Sequence, residues 1–378
     1  MGGSTATDRQ PPVRASRRLA FLLPGGLALV AAVIAGLARM GWAPSLPDSV
    51  AASLPLLHGP LMVAGMFGTV IGLERAVALG RTWAFLAPAL TGAGAIAAVI
   101  GLPSPMAAAV MAGGAAVLLA ASLATVRRQP ATHTVVLALG AAALVAGNLA
   151  WLAGLDMAAP VAWWMAFLVL TIAGERRELS RLRPLGPGPR AAFAALCAVL
   201  VLAVVAVTAE IEAAAPALGG SLVGLAAWMG RYDIARHTVR QRGLTRFIAV
   251  CLLSGFAWLG LGGLVLALPD ASGFAYADDA GLHAVFLGFV FAMVFGHAPI
   301  ILPAVTGLRV AYHPYFYVPL AILQVTLAGR LAADYWALDG LRLASGAGNA
   351  AALALFILGT ALAAWRGTRQ ARAAAARK

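Results

Sequence analysis

Two histidines lie inside apolar segments, where an ionisable side chain is costly unless it has a partner. His58 opens the stretch "HGPLMVAGMF", and His283 opens "HAVFLGFVFAMVFGHAPIILP". Each lies near the start of a predicted membrane-spanning helix, on the same side of the membrane, so the two rings could face each other. Two imidazoles at one depth are the axial ligand pair of a haem iron, or part of a copper or zinc site. The alternative is that each ring bonds a backbone carbonyl or a hydroxyl in a packed interior.

Three more ionisable side chains lie near the opposite ends of apolar segments, each within two positions after a glycine. They are Glu74 in "VIGLERAV", Glu175 in "TIAGERREL" and His297 in "VFGHAP". A helical rise of about 1.5 Å per residue places His297 roughly 21 Å from His283 along the helix axis, close to the level of Glu74. Two carboxylates and an imidazole suit a hard or borderline metal ion. Ion pairs with the arginines that follow the glutamates, or proton conduction, would explain the same residues.

The composition indicates an integral membrane protein. Of the 378 residues, 62% are hydrophobic and 11% are charged, and the mean hydropathy is +0.89. Apolar runs of roughly 17 to 25 residues are long enough to cross a bilayer as helices, and the sequence contains about twelve of them. It therefore predicts an all-α polytopic membrane bundle. The predicted spans are 19–40, 51–79, 83–102, 105–126, 133–154, 160–175, 190–209, 215–230, 246–268, 280–306, 315–333 and 344–365.

The charged residues form short runs between the spans. Basic runs such as "RASRR", "ERRELSRLR" and "RGTRQARAAAARK" fall on one side if twelve spans alternate, whereas "PSLPDS" and "PDASGFAYADDA" fall on the other. Positive charge marks the cytoplasmic side, which predicts a multi-pass protein of the bacterial inner membrane with both termini cytoplasmic. The net charge of +13 belongs to this pattern. The expected partner is therefore the lipid bilayer and not nucleic acid.

The chain is predicted to form one bundle with short tails. Residues 1–18 are predicted as a disordered cytoplasmic tail, 19–366 as a single transmembrane bundle and 367–378 as a basic cytoplasmic tail. A glycine followed by an ionisable residue recurs in helices 2, 6 and 10, which predicts three pseudo-symmetric blocks of four helices. Cys197 and Cys251 lie in apolar stretches, so neither a disulfide framework nor a CxxC metal site is expected.

Two arginines lie in the segment "AGRLAADYWALDGLRLASG", which is predicted to be an outer loop between helices 11 and 12. Arg330 and Arg342 are thereby placed on the same side of the membrane as the two histidines. An arginine can hold a carboxylate through two parallel hydrogen bonds, so this pair could bind the propionates of a haem. The alternatives are that Arg330 extends from a helix end to the membrane surface and that Arg342 pairs with Asp339.

These features resemble a known architecture. Twelve spans, cytoplasmic termini, histidines near the outer ends of helices 2 and 10 and an arginine-bearing outer loop are similar to subunit I of the haem–copper oxidases. The stretches that begin at His58 and His283 resemble helices 2 and 10 of that superfamily, which implies that these histidines are axial haem ligands. A closer similarity is to the NnrS family of twelve-span haem- and copper-containing proteins, linked to denitrification and nitric oxide stress. The late "GH" motif of that family is matched by Gly296 and His297.

Two differences from the sequence patterns of these families limit the functions that the resemblance implies. The NnrS pattern has a cluster of histidines and a glutamate on helix 2, where this sequence has His58 followed by Gly59 and Pro60. Oxidases and nitric oxide reductases hold a second metal with three histidines of helices 6 and 7, and the corresponding predicted spans contain none. A binuclear centre that reduces dioxygen or nitric oxide is therefore not expected.

The leading hypothesis is a haem-binding protein of NnrS-like type, with haem b as the cofactor and copper as a further metal. His58 and His283 would ligate the iron, Arg330 and Arg342 would bind the propionates, and His297 is the runner-up ligand. Such a protein would act in nitric oxide or nitrogen-oxide metabolism by binding or by electron transfer. Electron transfer would require a redox partner protein.

Two other classes of function fit the same sequence. One is a proton-coupled secondary transporter that uses Glu74, Glu175 and His297, since broken helices are common in transporters. Helix 10 contains Pro299 and Pro303, which could free backbone carbonyls to bind an ion. The other is a membrane subunit or assembly factor whose partner carries the chemistry.

Overall fold

The computed structural model contains, among the residues that it describes, twelve long helices and no strand. The described residues are 13, 15–42, 53–179, 184–268 and 273–375. We number the long helices in chain order. Their bounds are α1 Ala15–Arg39, α2 Leu54–Leu79, α3 Thr82–Val99, α4 Ser104–Arg128, α5 Thr132–Leu152, α6 Ala158–Leu179, α7 Pro187–Thr208, α8 Ala214–Tyr232, α9 Gly243–Ala267, α10 Ala277–Thr306, α11 Pro314–Trp336 and α12 Asp339–Ala375.

Eleven helices of the described chain are long and apolar enough to cross a membrane. In hydrocarbon every backbone N–H and C=O needs a partner within the protein, so an apolar run of this length forms a helix. The remaining long helix, α8, has 19 residues and packs against α7 and α9 within the same bundle. The prediction of an all-α polytopic membrane bundle is confirmed.

The ends of the chain are described in part. Most of the predicted N-terminal tail, residues 1–12 and 14, lies outside the described residues, and α1 begins at Ala15. At the other end α12 continues to Ala375. The predicted basic tail is therefore helical up to that residue, and 376–378 lie outside the described part.

The helices differ in how much of their surface the bundle covers. In the apolar stretch of each helix, 78% of α6 and 67% of α2 is buried, compared with 22% of α1 and 28% of α7. Large apolar side chains of the outer helices are exposed, among them Leu23 and Leu202. Such a surface is unfavourable in water and suits contact with lipid. We conclude that α2 and α6 are central, whereas α1 and α7 are peripheral.

Helices α2, α6 and α10 contact one another around the centre of the bundle. Phe67 of α2 and Phe291 of α10 have ring centroids 5.5 Å apart, and polar side chains near the other ends of the helices join α6 to both neighbours. The three pseudo-symmetric blocks of four helices stay a prediction. We call the end with His58 and His283 the histidine end, and the end with Glu74 and Glu175 the glutamate end.

Two of the central helices contain wide turns within three residues after their histidines. Residues Leu61–Phe67 of α2 and Ala284–Phe291 of α10 are π-helical, with backbone hydrogen bonds that span one residue more than in an α-helix. Such turns are rare and are frequent at functional sites. The two π-helical segments occupy similar positions in α2 and α10, which makes the histidine end a candidate functional site.

Helices α8 and α9 pack closely through facing glycines. A Cβ atom at Gly219 would overlap the carbonyl oxygen of Gly263, whereas a Cβ atom at Gly220 would have no neighbour within 4 Å. We expect Gly219→Ala to push the helices apart and lower the free energy of unfolding by about 1–3 kcal/mol. Gly220→Ala should leave it unchanged or raise it slightly, because alanine favours helix. Thermal unfolding in detergent, followed by circular dichroism, measures both, and equal melting temperatures would contradict the close packing.

The predicted outer loop between helices 11 and 12 is wrong. Helix α11 ends at Trp336 and α12 begins at Asp339, so Arg330 and Arg342 lie on helices. The connection is short because Ala337 adopts a left-handed backbone conformation, with a φ of 53°. A helix commonly ends in this conformation, but glycine is the usual residue there. The two arginines are consequently held by helical backbone.

Candidate functional site

His58 and His283 lie side by side at the histidine end. Their ring centroids are 6.3 Å apart, and the ring planes differ by 21°, so the rings are nearly parallel. His58 comes from the start of α2 and His283 from the start of α10. The structure thus brings together the two histidines that the sequence placed at one depth.

Backbone carbonyls determine which nitrogen of each ring carries the proton. His58 Nδ1 lies 2.8 Å from the carbonyl oxygen of Ala32 in α1, and His283 Nδ1 lies 2.8 Å from that of Asp279, one turn earlier in α10. A carbonyl oxygen only accepts hydrogen bonds, so each Nδ1 is the donor and each neutral ring has its free lone pair on Nε2. Within the described chain, neither Nε2 atom has a hydrogen-bond partner.

The separation of the rings matches that of two ligands on one metal. With metal–nitrogen bonds of about 2 Å, two imidazoles on opposite sides of an ion have ring centres roughly 6 Å apart. The observed separation is 6.3 Å. A histidine that binds metal also typically donates its other N–H to a carbonyl or carboxylate. The spacing of the rings and the partners of their Nδ1 atoms make His58 and His283 a candidate pair of ligands, and a haem iron needs only two ligands from the protein.

Two aspartates and two arginines form an ion-pair network beside His283. Asp279 Oδ2 accepts a hydrogen bond from Arg330 Nη2 at 2.7 Å and forms an ion pair with Arg342 Nη2 at 3.0 Å. Asp334, which is fully buried, accepts from Arg342 Nε at 2.7 Å. The formal charges of these four side chains cancel, which lowers the cost of burying them. The network joins α10, α11 and α12.

Arg330 and Arg342 reach the predicted end of the bundle, but their partners are protein carboxylates. Arg330 is buried and pairs with Asp279, so it does not extend to the membrane surface. Arg342 pairs with Asp334 and Asp279, and not with Asp339, because its side chain crosses to the neighbouring helices. Arg342 remains 23% exposed, and its Nη1 has no hydrogen-bond partner among the described residues. Arg342 Nη1 is therefore the donor that a propionate could reach.

One arginine joins two glutamates at the glutamate end. Arg75 Nη2 donates to Glu175 across the contact between α2 and α6, and it lies 3.4 Å from Glu74 Oε1. All three side chains are partly exposed. The sequence left metal binding, ion pairs and proton conduction open for Glu74 and Glu175. The structure contains the ion pairs.

His297 lies beside a second and more deeply buried ion pair. Arg176 donates from Nε and Nη2 to the two carboxylate oxygens of Asp233, at 2.7 and 2.9 Å. Arg176 Nη1 lies 3.3 Å from His297 Nε2, and His297 Nδ1 lies 2.8 Å from the carbonyl oxygen of Met293. Both nitrogens of His297 are therefore occupied, in contrast to the histidine pair at the other end.

Glu74, Glu175 and His297 do not gather as metal ligands. In the part of the chain that the structure describes, no group of three or more His, Cys, Asp or Glu side chains is placed to hold a metal ion. Arg75 binds both glutamates, and Arg176 binds His297. A bare metal ion takes three or four protein ligands, whereas a haem iron takes two from the protein. The histidine end is thus the better candidate for a cofactor site.

Nearly the whole chain matches a single family. The model of a domain of unknown function, DUF8744, matches residues 18–365. The chain belongs to this family. No curated protein and no solved structure matches the sequence. The histidine pair, the ion-pair network and the glutamate end of this DUF8744 protein all lie within the matched residues.

The sequence did not lead to Asp279 and Asp334, the two carboxylates of the ion-pair network beside His283. Asp279 precedes His283 by four residues, and Asp334 follows Arg330 by four, so each pair lies on one helix face. That spacing was the available signal. The segment around Asp279 is polar and acidic, which is typical of a loop, and therefore the helical spacing carried little weight.

Proposed function

We propose that this DUF8744 protein binds one haem b between His58 and His283. The observation that carries the proposal is the pair of nearly parallel rings, with centres 6.3 Å apart. Each ring donates its Nδ1 proton to a backbone carbonyl and so presents an Nε2 lone pair, as an axial ligand must. Within the described chain no other group uses either lone pair.

Electron transfer is the activity that this arrangement supports best. His58 and His283 would hold the haem, and the chemistry that it would supply when bound is one-electron transfer. The protein orients both rings through the carbonyls of Ala32 and Asp279, and Arg342 Nη1 is free to bind a propionate. The resemblance to the NnrS family supports a role in nitric oxide or nitrogen-oxide metabolism, with a redox protein as the electron partner.

The proposed location is the bacterial inner membrane, with the histidine end facing away from the cytoplasm. Arg127 and Arg128 end α4, and Arg176 and Arg177 lie in the last turn of α6. These basic residues belong to the glutamate end, which supports a cytoplasmic position for it. A redox partner would then reach the haem from outside the cytoplasm.

Absorption spectroscopy of purified protein tests the proposal. Protein from haem-supplied cells is expected to show a Soret band, reduced-minus-oxidised haem b bands and one haem per chain by the pyridine haemochrome assay. Copper content is measured on the same sample. Folded, monodisperse protein that retains no haem after haemin is added and the excess is removed would overturn the proposal. One copper per chain without haem would assign the histidine pair to copper instead.

The close approach of α1 to His58 offers a sharper test. A Cβ atom at Gly36 would lie 2.8 Å from Cε1 and Nδ1 of the His58 ring, whereas Gly26 of the same helix has nothing within 4 Å of such an atom. We expect Gly36→Ala to displace the ring and weaken haem binding roughly tenfold, or about 1.4 kcal/mol. Gly26→Ala should bind haem as the wild type does. Haem titration followed by absorbance measures both affinities, and equal values would contradict the assigned contact.

A second candidate function, proton-coupled transport, is favoured by the charge at the glutamate end. Glu74 and Glu175 share Arg75, so this cluster carries one negative charge in excess, and ionisable groups within spans often mark ion paths. Proton flux into liposomes that contain the protein tests this function. Substrate-dependent flux that is lost in Glu175→Gln would support transport, and wild-type flux that Glu175→Gln leaves unchanged would contradict this use of Glu175.

A further inference from the structure

The two rings of the histidine pair have unequal surroundings. His58 Nδ1 faces one neutral carbonyl, that of Ala32, at 2.8 Å. His283 Nδ1 faces the carbonyl of Asp279 at 2.8 Å and, in addition, the carboxylate Oδ1 of Asp279 at 3.4 Å. Among the described residues, therefore, a carboxylate lies beside the N–H group of His283 and not beside that of His58.

Arg330 and Arg342 determine which oxygen of Asp279 faces the ring. Both arginines bind Oδ2, at 2.7 and 3.0 Å, which leaves Oδ1 toward His283. The Arg330 side chain is only 6% exposed, so the carboxylate is oriented in a region where water and salt screen charges poorly. The orientation of Asp279 is thus a fixed feature of the site.

Asp334 provides an internal comparison. It accepts a hydrogen bond from Arg342 at 2.7 Å and lies 3.9 Å from Arg330 Nε, so it carries the same charge in the same network. No ion pair or hydrogen bond joins its side chain to His283 within the described chain. Both aspartates therefore carry a negative charge that pairs with the arginines. Only Asp279 also places a carboxylate oxygen beside the His283 ring.

We propose that Asp279 is a positioning residue that strengthens the electron donation of His283 and thereby lowers the reduction potential of the bound iron. This inference rests on the proposed function. A carboxylate next to the N–H group of a ligating imidazole raises the basicity of the ring, and a more basic ligand stabilises ferric iron relative to ferrous iron.

Two single substitutions separate this effect from a general loss of charge. Asp279→Asn and Asp334→Asn each remove one negative charge from the network, but only the first removes the carboxylate beside His283. Redox titration of the haem with dithionite and ferricyanide is expected to give a more positive midpoint potential in both, with the larger shift in Asp279→Asn. The g values of the low-spin EPR signal should change in Asp279→Asn and stay at the wild-type values in Asp334→Asn.

The outcomes distinguish this inference from the proposed function. Equal potential shifts in the two variants, or unchanged g values in Asp279→Asn, would overturn the inference and leave haem binding in place. Wild-type protein that binds no haem would overturn both. The wild type also gives a test that does not depend on how the variants fold. Electron–nuclear double resonance must show unequal couplings for the two axial Nδ1 protons, and equal couplings would contradict the inference.

Discussion

Replacing His283 with alanine is expected to remove the Soret band of the purified protein, and replacing His58 is expected to do the same. Each ring supplies one of the two bonds that would hold iron across the 6.3 Å between the ring centres. The remaining imidazole would hold the iron from one side only, so one of the two bonds from the protein would be lost. We expect haem binding to weaken roughly hundredfold or more, on the order of 3 kcal/mol. Haem per chain after purification measures the loss.

His297→Ala is the matched control for both variants. His297 lies on the same helix as His283, but its Nε2 lies 3.3 Å from Arg176 Nη1 and faces the glutamate end. This variant should keep its haem. Size-exclusion chromatography and circular dichroism establish that all three variants are folded. Full haem occupancy in His58→Ala or His283→Ala, or loss of haem in all three, would show that the ligand pair is assigned wrongly.

Asp233→Asn is expected to have the largest effect on stability. Asp233 and Arg176 form an ion pair through two hydrogen bonds, with side chains only 2% and 4% exposed. The substitution leaves the Arg176 guanidinium buried opposite a neutral amide. Breaking one side of a buried pair costs about 3–5 kcal/mol of unfolding free energy. Unfolding in detergent, by heat or denaturant, measures the change.

Asp156→Asn serves as the control for this prediction. Asp156 Oδ1 accepts a hydrogen bond from the backbone N–H of Ala158 at 2.9 Å, as Asp233 Oδ1 does from Ala235 at 2.7 Å. Both asparagines can keep that bond, but Asp156 is exposed and forms no ion pair among the described residues. Its substitution should change stability by less than about 0.5 kcal/mol. Similar stabilities for the two variants would mean that the buried pair contributes little.

The number and positions of the helices could be predicted closely from the apolar runs. The predicted span 133–154 is α5, Thr132–Leu152, because an apolar run in a membrane can satisfy its backbone only as a helix. The ends of helices were harder to predict. The apolar run 344–365 lies within α12, which extends over Asp339–Ala375. Polar residues can continue a helix beyond the apolar run, and hydropathy gives no signal for that.

The candidate site could be predicted only in part. The two histidines were found because each lies a few residues into its helix, which places them at one depth. Their partners were not found, because the carbonyl of Ala32 belongs to a helix that is distant in sequence. The arginines reach Asp279 through a tight turn at Ala337, where φ is 53°. The sequence has no glycine there to indicate a helix end, and so a loop was predicted.

Low-temperature EPR of the oxidised wild-type protein tests the central claim most directly. Two axial imidazoles with nearly parallel planes, here 21° apart, are expected to give a rhombic low-spin ferric signal that accounts for all the haem. A high-spin ferric signal would show that at least one of the two histidines is not bound to iron. That result, or folded protein with no haem signal after haemin is added, would contradict the account.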